Sequence, residues 1–324
     1  MRAIIPVAGV GSRLRPHTYT VPKVLLNVAG KPIIGHILDK VIENGFNEAT
    51  IIVGYLGDMI KEYVSKNYSM KVDFVEQEER LGLGHAIYLA RHTISRSPIL
   101  IILGDTIFDF DLQKMAQGEQ SMIGVKSVED PRRFGVAETT DGFISRLVEK
   151  PENPKSNLAV VGLYYIRQPQ TLVECLKELI KSNTRTKGEY QLTDALQMLL
   201  ERGEKMKTFP VDGWYDCGKP ETLLETNRHL LDKLAPPRPI PGVVVRLPSF
   251  IAPQAEVHNA VIGPYATVAE GAVVEGSVIR NSIISEGARV TDAILYDSIV
   301  GSNATVRGAS NRINVGDSSE LEFT

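Results

Sequence analysis

Over the first two thirds of the chain, short apolar runs alternate with stretches in which apolar positions recur every three to four residues. Ala3–Val7 (AIIPV), ATIIV, KVDFV and Ile99–Leu103 (in PILIILGD) read as strands. PIIGHILDKVIENG and a segment from about His85 to Thr93 read as helices between them. Ile99–Leu103 is apolar on both faces, as in a sheet covered by helices on each side. This rhythm predicts an α/β domain whose central sheet is mostly parallel. GVAE, FISRLVEK and AVVGLYYI continue as strands, and Thr171–Lys181 forms an amphipathic helix with Leu172, Leu176 and Leu179 on one side.

The pattern changes near residue 235. APPRPIPG (Ala235–Gly242) places four prolines in a stiff connector. Beyond it aliphatic residues return every five or six positions: Ile251, Val257, Ile262, Val268, Val274, Ile279, Ile284, Val290, Leu295, Val300 and Val306. Small residues such as Ala260, Ser277, Ser282, Ala293 and Ser298 stand two positions before several of them. Neither a helix nor simple alternation gives that step, whereas a triangular solenoid with one short strand per side does. At 16 or 17 residues per turn, three turns and part of a fourth are expected. The chain thus divides into 1–235, a proline-rich linker at 236–248 and a repeat domain at 249–324.

Composition narrows the function classes. Lys and Arg number 36 against 39 Asp and Glu, a net charge of −3 without like-charge runs, which argues against a nucleic-acid binder. No stretch approaches the ~18 apolar residues of a membrane span. MRAIIPVAGVG lacks a small-residue cleavage site and reads as a buried first strand rather than a signal peptide. Cys175 and Cys217 are too few for a disulfide framework or a cysteine zinc site, so a cytoplasmic protein is expected.

The densest local signal is AGVGSRLRPHTYTVPKVLL, directly after the first strand. Gly9 and Gly11 permit close backbone approach, so that main-chain N–H groups face an anion. Arg13 and Lys23 add positive charge, with Arg15 a possible third; amides plus cations suit a triphosphate while charge develops at phosphorus. The glycine spacing matches neither the P-loop nor the dinucleotide fingerprint. Asp105 follows an apolar strand, where open α/β sheets present ligand sites, and a carboxylate there suits Mg²⁺. Gln77, five residues before Gly82, offers an amide that matches the edge of uracil or thymine.

The whole string G-x-G-S-R-L-R-P-x-T-x-x-x-P-K-x-L, followed by Gly30–Pro32 (GKP), resembles the signature of the sugar-1-phosphate nucleotidylyltransferases. The likeness continues through EQEERLGLGHA, LGDTIF, FGV, EKPENPKSNLAVVGLYYI, GEYQLTDAL and GWYDCGKPETLLETN, and so spans the first domain. It implies a Rossmann-like nucleotidyltransferase domain that joins a nucleoside triphosphate to a sugar 1-phosphate and releases pyrophosphate. The repeats resemble the hexapeptide repeat of a left-handed parallel β-helix. SNRINVGDSSELEFT looks like the end of long-form thymidylyltransferase-like proteins.

By the same resemblance Arg13 and Lys23 are catalytic, and Ala8, Gly9, Gly11, Gln77, Gly82 and Asp105 bind nucleotide. Gly135, Glu149, Lys150 and Glu189 bind the sugar phosphate, and Asp105 and Asp216 hold Mg²⁺. Gln77 stands where relatives using pyrimidine nucleotides carry Gln, favouring dTTP or UTP with glucose 1-phosphate; GTP with mannose 1-phosphate is the alternative. Thr106 and Lys219 depart from the common Asn and Thr without removing a needed group. Asp109 and Asp111 read as a turn and a helix start. Cys217 and Cys175 read as packing, His85 as a possible lining of the base pocket, and His17 is left unassigned. A catalytically silent regulatory subunit is the rival class, but the loop cations and both carboxylates are present. His258 could serve as the base of an acyltransferase in the coil; capping a sheet edge and building a homo-oligomer is the preferred role for that domain.

Overall fold

The computed structural model describes residues 1–109, 111–116, 119–308, 310–311 and 313–322. The chain divides into two compact units, one of Met1–Gly9 with Ile37–Trp214 and one of Val10–His36 with Tyr215–Thr324.

The first unit is built on a nine-stranded sheet. Arg2–Pro6 lies at its centre, parallel to both Glu48–Val53 and Ile99–Ile102, and Lys71–Glu76 extends the parallel half. The sheet turns mixed at Leu158–Ile166, which runs antiparallel to Ile99–Ile102 and to Ser121–Ser127. Gly135–Thr140 and Phe143–Glu149 complete that side as an antiparallel pair, while Met206–Pro210 runs parallel to Ser121–Ser127. Ile4, Ile52, Ile99 and Ile101 are fully or almost fully buried, as strands apolar on both faces require.

Two helix starts differ from the sequence expectation. The helix expected at His85–Thr93 is α-helical at Leu83–Leu89 and tightens into a 3₁₀ turn at Ala90–Thr93. It starts earlier because Gly82, at φ +111°, turns the backbone into it. The helix expected at Thr171–Lys181 begins at Pro169, whose fixed φ and missing N–H suit a first helical turn. Leu172, Cys175, Leu176 and Leu179 form its buried face.

In the second unit the helix Pro220–Leu231 precedes three parallel sheets of five strands each, an arrangement consistent with the left-handed β-helix. Ile262, Ile279 and Leu295 stack inside one face, and Val257, Val274, Val290 and Val306 inside another. The buried serines are corner links: Ser277 Oγ donates to Glu275 O at 2.6 Å and accepts Ala293 N–H at 3.1 Å. Ser282 repeats this with Arg280 O and Ser298 N–H.

The solenoid is longer than three turns and a fraction, with five strands on every face. It starts inside the expected linker, where Val244–Val245 pairs with Val261–Ile262. It ends at Glu320–Glu322, paired with Thr305–Arg307. Of the tail quoted above, Arg312, Phe323 and Thr324 lie outside the described residues. Among the described residues no helix is long and apolar enough to cross a membrane.

Candidate active site

The glycine-rich segment after the first strand is a chain of 3₁₀ turns at Ser12–Leu14, His17–Tyr19 and Lys23–Leu25. Gly11 makes the first turn possible. Its φ is +63°, and a Cβ there would stand 2.9 Å from Lys23 Cβ and 3.0 Å from Thr18 Cγ2. Thr18 Oγ1 donates to Gly11 O at 2.9 Å, tying the second turn to the first. Lys23 is only 7% exposed, so its stem is fixed by packing. Arg13 is exposed and meets Asp216 over Gly218: a Cβ on Gly218 would lie 2.7 Å from Arg13 Nη2 and 2.9 Å from both Asp216 oxygens. Gly11 with Lys23, and Arg13 with Asp216, are therefore brought together within the second unit.

In the first unit, Ala8 is buried beside Gly54, where a Cβ would sit 2.9 Å from Ala8 O. Gly9 differs: no heavy atom among the described residues lies within 4 Å of where its Cβ would be. Packing does not require glycine there, whereas a ligand seated on the backbone would. Asp105 is placed by backbone bonds on either side of the sheet end: Leu103 N–H donates to Gly162 O at 2.9 Å and Gly104 N–H to Pro6 O at 3.2 Å. Its Oδ1 accepts from Thr106 Oγ1 at 3.3 Å. Asp105 belongs to the first unit and Asp216 to the second.

Gln77 is 6% exposed, so it is not the solvent-facing residue its charged neighbours suggest. Its Nε2 donates to Gly82 O at 3.1 Å and faces His85 Nδ1 at 3.4 Å. With both amide hydrogens turned inward, the acceptor Oε1 is the atom left for a ligand. Burial holds the His85 ring below its ordinary pKa, which suits a neutral ring accepting at Nδ1. Gly82 rests on the backbone of the proposed sugar pocket: Tyr190 N–H donates to Leu81 O and Gly84 N–H to Tyr190 O, both at 2.8 Å.

Glu149, Lys150 and Gly135 come together because Glu149 is directly opposite Gly135 in an antiparallel pair. A Cβ on Gly135 would stand 3.2 Å from Glu149 Oε2 and 3.0 Å from Thr193 Oγ1. Lys150 Nζ is 3.4 Å from Glu149 Oε1, and its backbone, at φ +46°, donates N–H to Phe134 O at 3.0 Å. Glu189 is exposed and its Oε2 accepts from Gln191 Nε2 at 3.1 Å. Thr193, not singled out from sequence, orients Glu149 by donating to Oε2 at 2.7 Å. Its one sequence signal is its place in GEYQLTD, where it reads as an ordinary first-turn residue. Burial pushes the Asp194 carboxyl and the Tyr164 hydroxyl upward in pKa, and nearby Glu149 adds to both.

The residues set aside from sequence lie elsewhere. Cys217 is buried with Sγ 3.5 Å from Thr226 Oγ1, and Cys175 is in the core. His258 is exposed at the end of the strand Glu256–His258. Among the described residues no three His, Cys, Asp or Glu side chains cluster as a metal site. Mg²⁺ does not need such a cluster, because it binds through one or two carboxylates plus substrate phosphates and water. Asp105 and Asp216 are hard oxygen donors of that kind.

A family model described as nucleotidyl transferase matches residues 2–233. The chain is 31% identical to the low-salt glycan biosynthesis nucleotidyltransferase Agl11 of Haloferax volcanii, over 100% of both sequences. It is 30% identical to a glucose-1-phosphate thymidylyltransferase of Streptomyces griseus, again over 100% of both. A further match, 40% identical, joins 72% of this chain to 55% of the bifunctional protein GlmU of Methanocaldococcus jannaschii. Among solved structures, UDP-glucose pyrophosphorylase complexed with UDP-glucose superposes with a TM-score of 0.62 at 28% identity, over 72% of this chain and 99% of that one.

Proposed function

The chain belongs to the sugar-1-phosphate nucleotidyltransferase family, and from that premise we propose dTTP or UTP with glucose 1-phosphate as its substrates. It is an enzyme that makes an NDP-sugar from a nucleoside triphosphate and a sugar 1-phosphate. Enzymes of this family use a divalent metal. We take it here to be Mg²⁺ on Asp105 and Asp216, with the enzyme a cytoplasmic homo-oligomer. The observation that carries the base preference is buried Gln77, whose Oε1 is left to accept. An acceptor suits the N3–H of uracil or thymine. It disfavours adenine and cytosine, whose corresponding ring nitrogen is itself an acceptor; guanine, whose N1–H would also match, is set second by the likeness to a thymidylyltransferase.

The reaction is a single in-line displacement. An oxygen of the sugar phosphate attacks the α-phosphorus, the new P–O bond forms, and pyrophosphate leaves with the electron pair of the broken bond. That oxygen is already anionic, so no residue need act as a general base. Main-chain groups at Ala8, Gly9 and Gly11 with Arg13 and Lys23 hold the triphosphate and take up charge as it develops. Lys150, a point charge on a flexible stem, aligns the attacking phosphate, while Glu149, Glu189 and the Gly135 backbone hold the sugar. Bound Mg²⁺ would neutralise phosphate charge.

Pyrophosphate release with Mg²⁺ tests this, crossing dTTP, UTP, GTP, ATP and CTP with glucose, mannose, galactose and N-acetylglucosamine 1-phosphates. Turnover dominated by dTTP or UTP with glucose 1-phosphate is expected. A GTP preference would overturn the base assignment and leave the chemistry standing; silence across the grid from folded protein would overturn both and favour a regulatory subunit.

A further inference from the structure

The segment Val10–His36 follows a strand of the first unit yet clusters with the β-helix. Its attachments explain why. At its far end the Gly30 backbone lies directly under the Phe250 ring, leaving no room for a Cβ. Asn227, fully buried, accepts Ala29 N–H at 2.8 Å and Thr267 Oγ1–H at 2.7 Å through one oxygen. That end is thereby fixed to the helix Pro220–Leu231 and to the strand Ala266–Val268.

The near end is held by the last coil. His17, 1% exposed, has Nε2 2.5 Å from Asn314 Oδ1, across 297 positions of sequence. Thr20 Oγ1 donates to the Asp317 carboxylate. Gly316 lies against the Pro16 ring, where a Cβ would stand 2.9 Å from Pro16 Cβ and Cγ. Between His17 and Thr20 sits Thr18, which donates to Gly11 O and whose methyl, with the Lys23 stem, bounds the space beside Gly11. A contiguous series of contacts thus runs from Asn314 and Asp317 through residues 16–20 to the turn at Gly11 and to Lys23. The loop has little stiffness of its own, since its three 3₁₀ turns hold three residues each.

We propose that the terminal coil of the β-helix, through Asn314, Gly316 and Asp317, is a positioning element for the triphosphate loop. The β-helix is then part of the nucleotide site, beyond any role in assembly. This rests on the assignment of Arg13 and Lys23 to the triphosphate. Asn314 and Asp317 touch no reacting atom; they act through His17, Thr18 and Thr20.

The test uses the full chain with Asn314→Ala and Asp317→Ala together, with Thr20→Val, and with Asp317→Asn as the conservative variant. Two quantities are read: KM for each substrate, and amide hydrogen exchange without substrate over residues 10–26 and, as an internal control, 71–90. Losing the two hydrogen bonds that reach the loop, each of ordinary worth, should raise KM for the nucleoside triphosphate by about tenfold. KM for the sugar phosphate should stay within about twofold, since its residues are in the first unit. Asp317→Asn keeps an acceptor for Thr20 and should restore most of the loss. Exchange should quicken over 10–26 and not over 71–90. Equal rises in both KM values, or unchanged exchange over 10–26, would overturn the proposal. If the wild-type protein turned over no substrate pair, the functional assignment would fall, and exchange would still decide whether the last coil fixes the loop.

Discussion

Replacing Gly82 by alanine tests how the proposed base and sugar sides of the first unit are joined. Gly82 sits at φ +111°, and a Cβ there would stand 2.6 Å from Tyr190 O and 2.9 Å from Tyr190 N and Glu189 Cβ. Holding a residue with a side chain in that backbone region costs about 1–3 kcal/mol. The carbonyl cannot simply retreat, because Tyr190 O accepts Gly84 N–H and Tyr190 N–H donates to Leu81 O, each at 2.8 Å. Losing one of those bonds adds about 1 kcal/mol, for a combined cost of about 2–4 kcal/mol. Gly203→Ala separates the two contributions: its φ is +92°, with no heavy atom among the described residues within 4 Å of the Cβ position, so it carries the backbone cost alone.

Urea unfolding of both variants, with KM for each substrate, is the assay. Gly82→Ala should be the less stable, by at least about 1 kcal/mol. It should raise both KM values, because Gln77 donates to Gly82 O on one side and Glu189 adjoins Tyr190 on the other. That pattern differs from the terminal-coil variants, which raise one. A Gly82→Ala protein as stable as Gly203→Ala, with both KM values unchanged, would refute the claim that this contact joins the two pockets.

Lys150→Ala should raise KM for the sugar phosphate by about tenfold to a hundredfold, as for loss of a charged hydrogen bond, with little effect on nucleotide KM; the reverse split would remove Lys150 from its role. Asp105→Asn should lower kcat by at least about a hundredfold at saturating Mg²⁺ without changing the melting temperature, and turnover at the wild-type rate would discard the metal assignment. Burial lowers the pKa of His17 below 6.5 in the folded protein, while Asn314 and Asp317 partly oppose the shift. The unfolded chain therefore binds the extra proton first, and stability should fall as pH drops from 6.5 through the lowered folded value. His17→Gln should flatten that slope between pH 7 and pH 5 in urea unfolding; an unchanged slope would show that other groups set it.

Much of the first unit was legible because its signals are local. A strand apolar on both faces, such as Ile99–Ile102, announces two-sided burial whatever its partners are. The direction of Leu158–Ile166 was not legible, since antiparallel pairing with Ile99–Ile102 leaves the same apolar run as parallel pairing. The coil step was visible in the inward aliphatics and the corner serines. Its length was not, because the end strands are held differently. Val244–Val245 is hidden behind prolines, and Glu320–Glu322 is exposed along its whole length yet keeps register with Thr305–Arg307 through the backbone.

The site residues divide the same way. Arg13, Lys23, Asp105 and Gln77 carry their chemistry in their own side chains and could be picked out singly. Thr193, Asn227 and Asn314 matter only through what they touch: Glu149 at 2.7 Å, Ala29 at 2.8 Å and His17 at 2.5 Å. In sequence they are a polar residue in a helix's first turn, an amide in an amphipathic helix and a residue in a polar tail. Groups that react can be found one at a time, whereas groups that hold them in place are defined by pairs. Here the pairs join residues 44, 198 and 297 positions apart, beyond any local pattern. A search for the positioning residues of such a site therefore has to begin from buried polar contacts of large sequence separation, and in this chain two of those three lead to the segment Val10–His36.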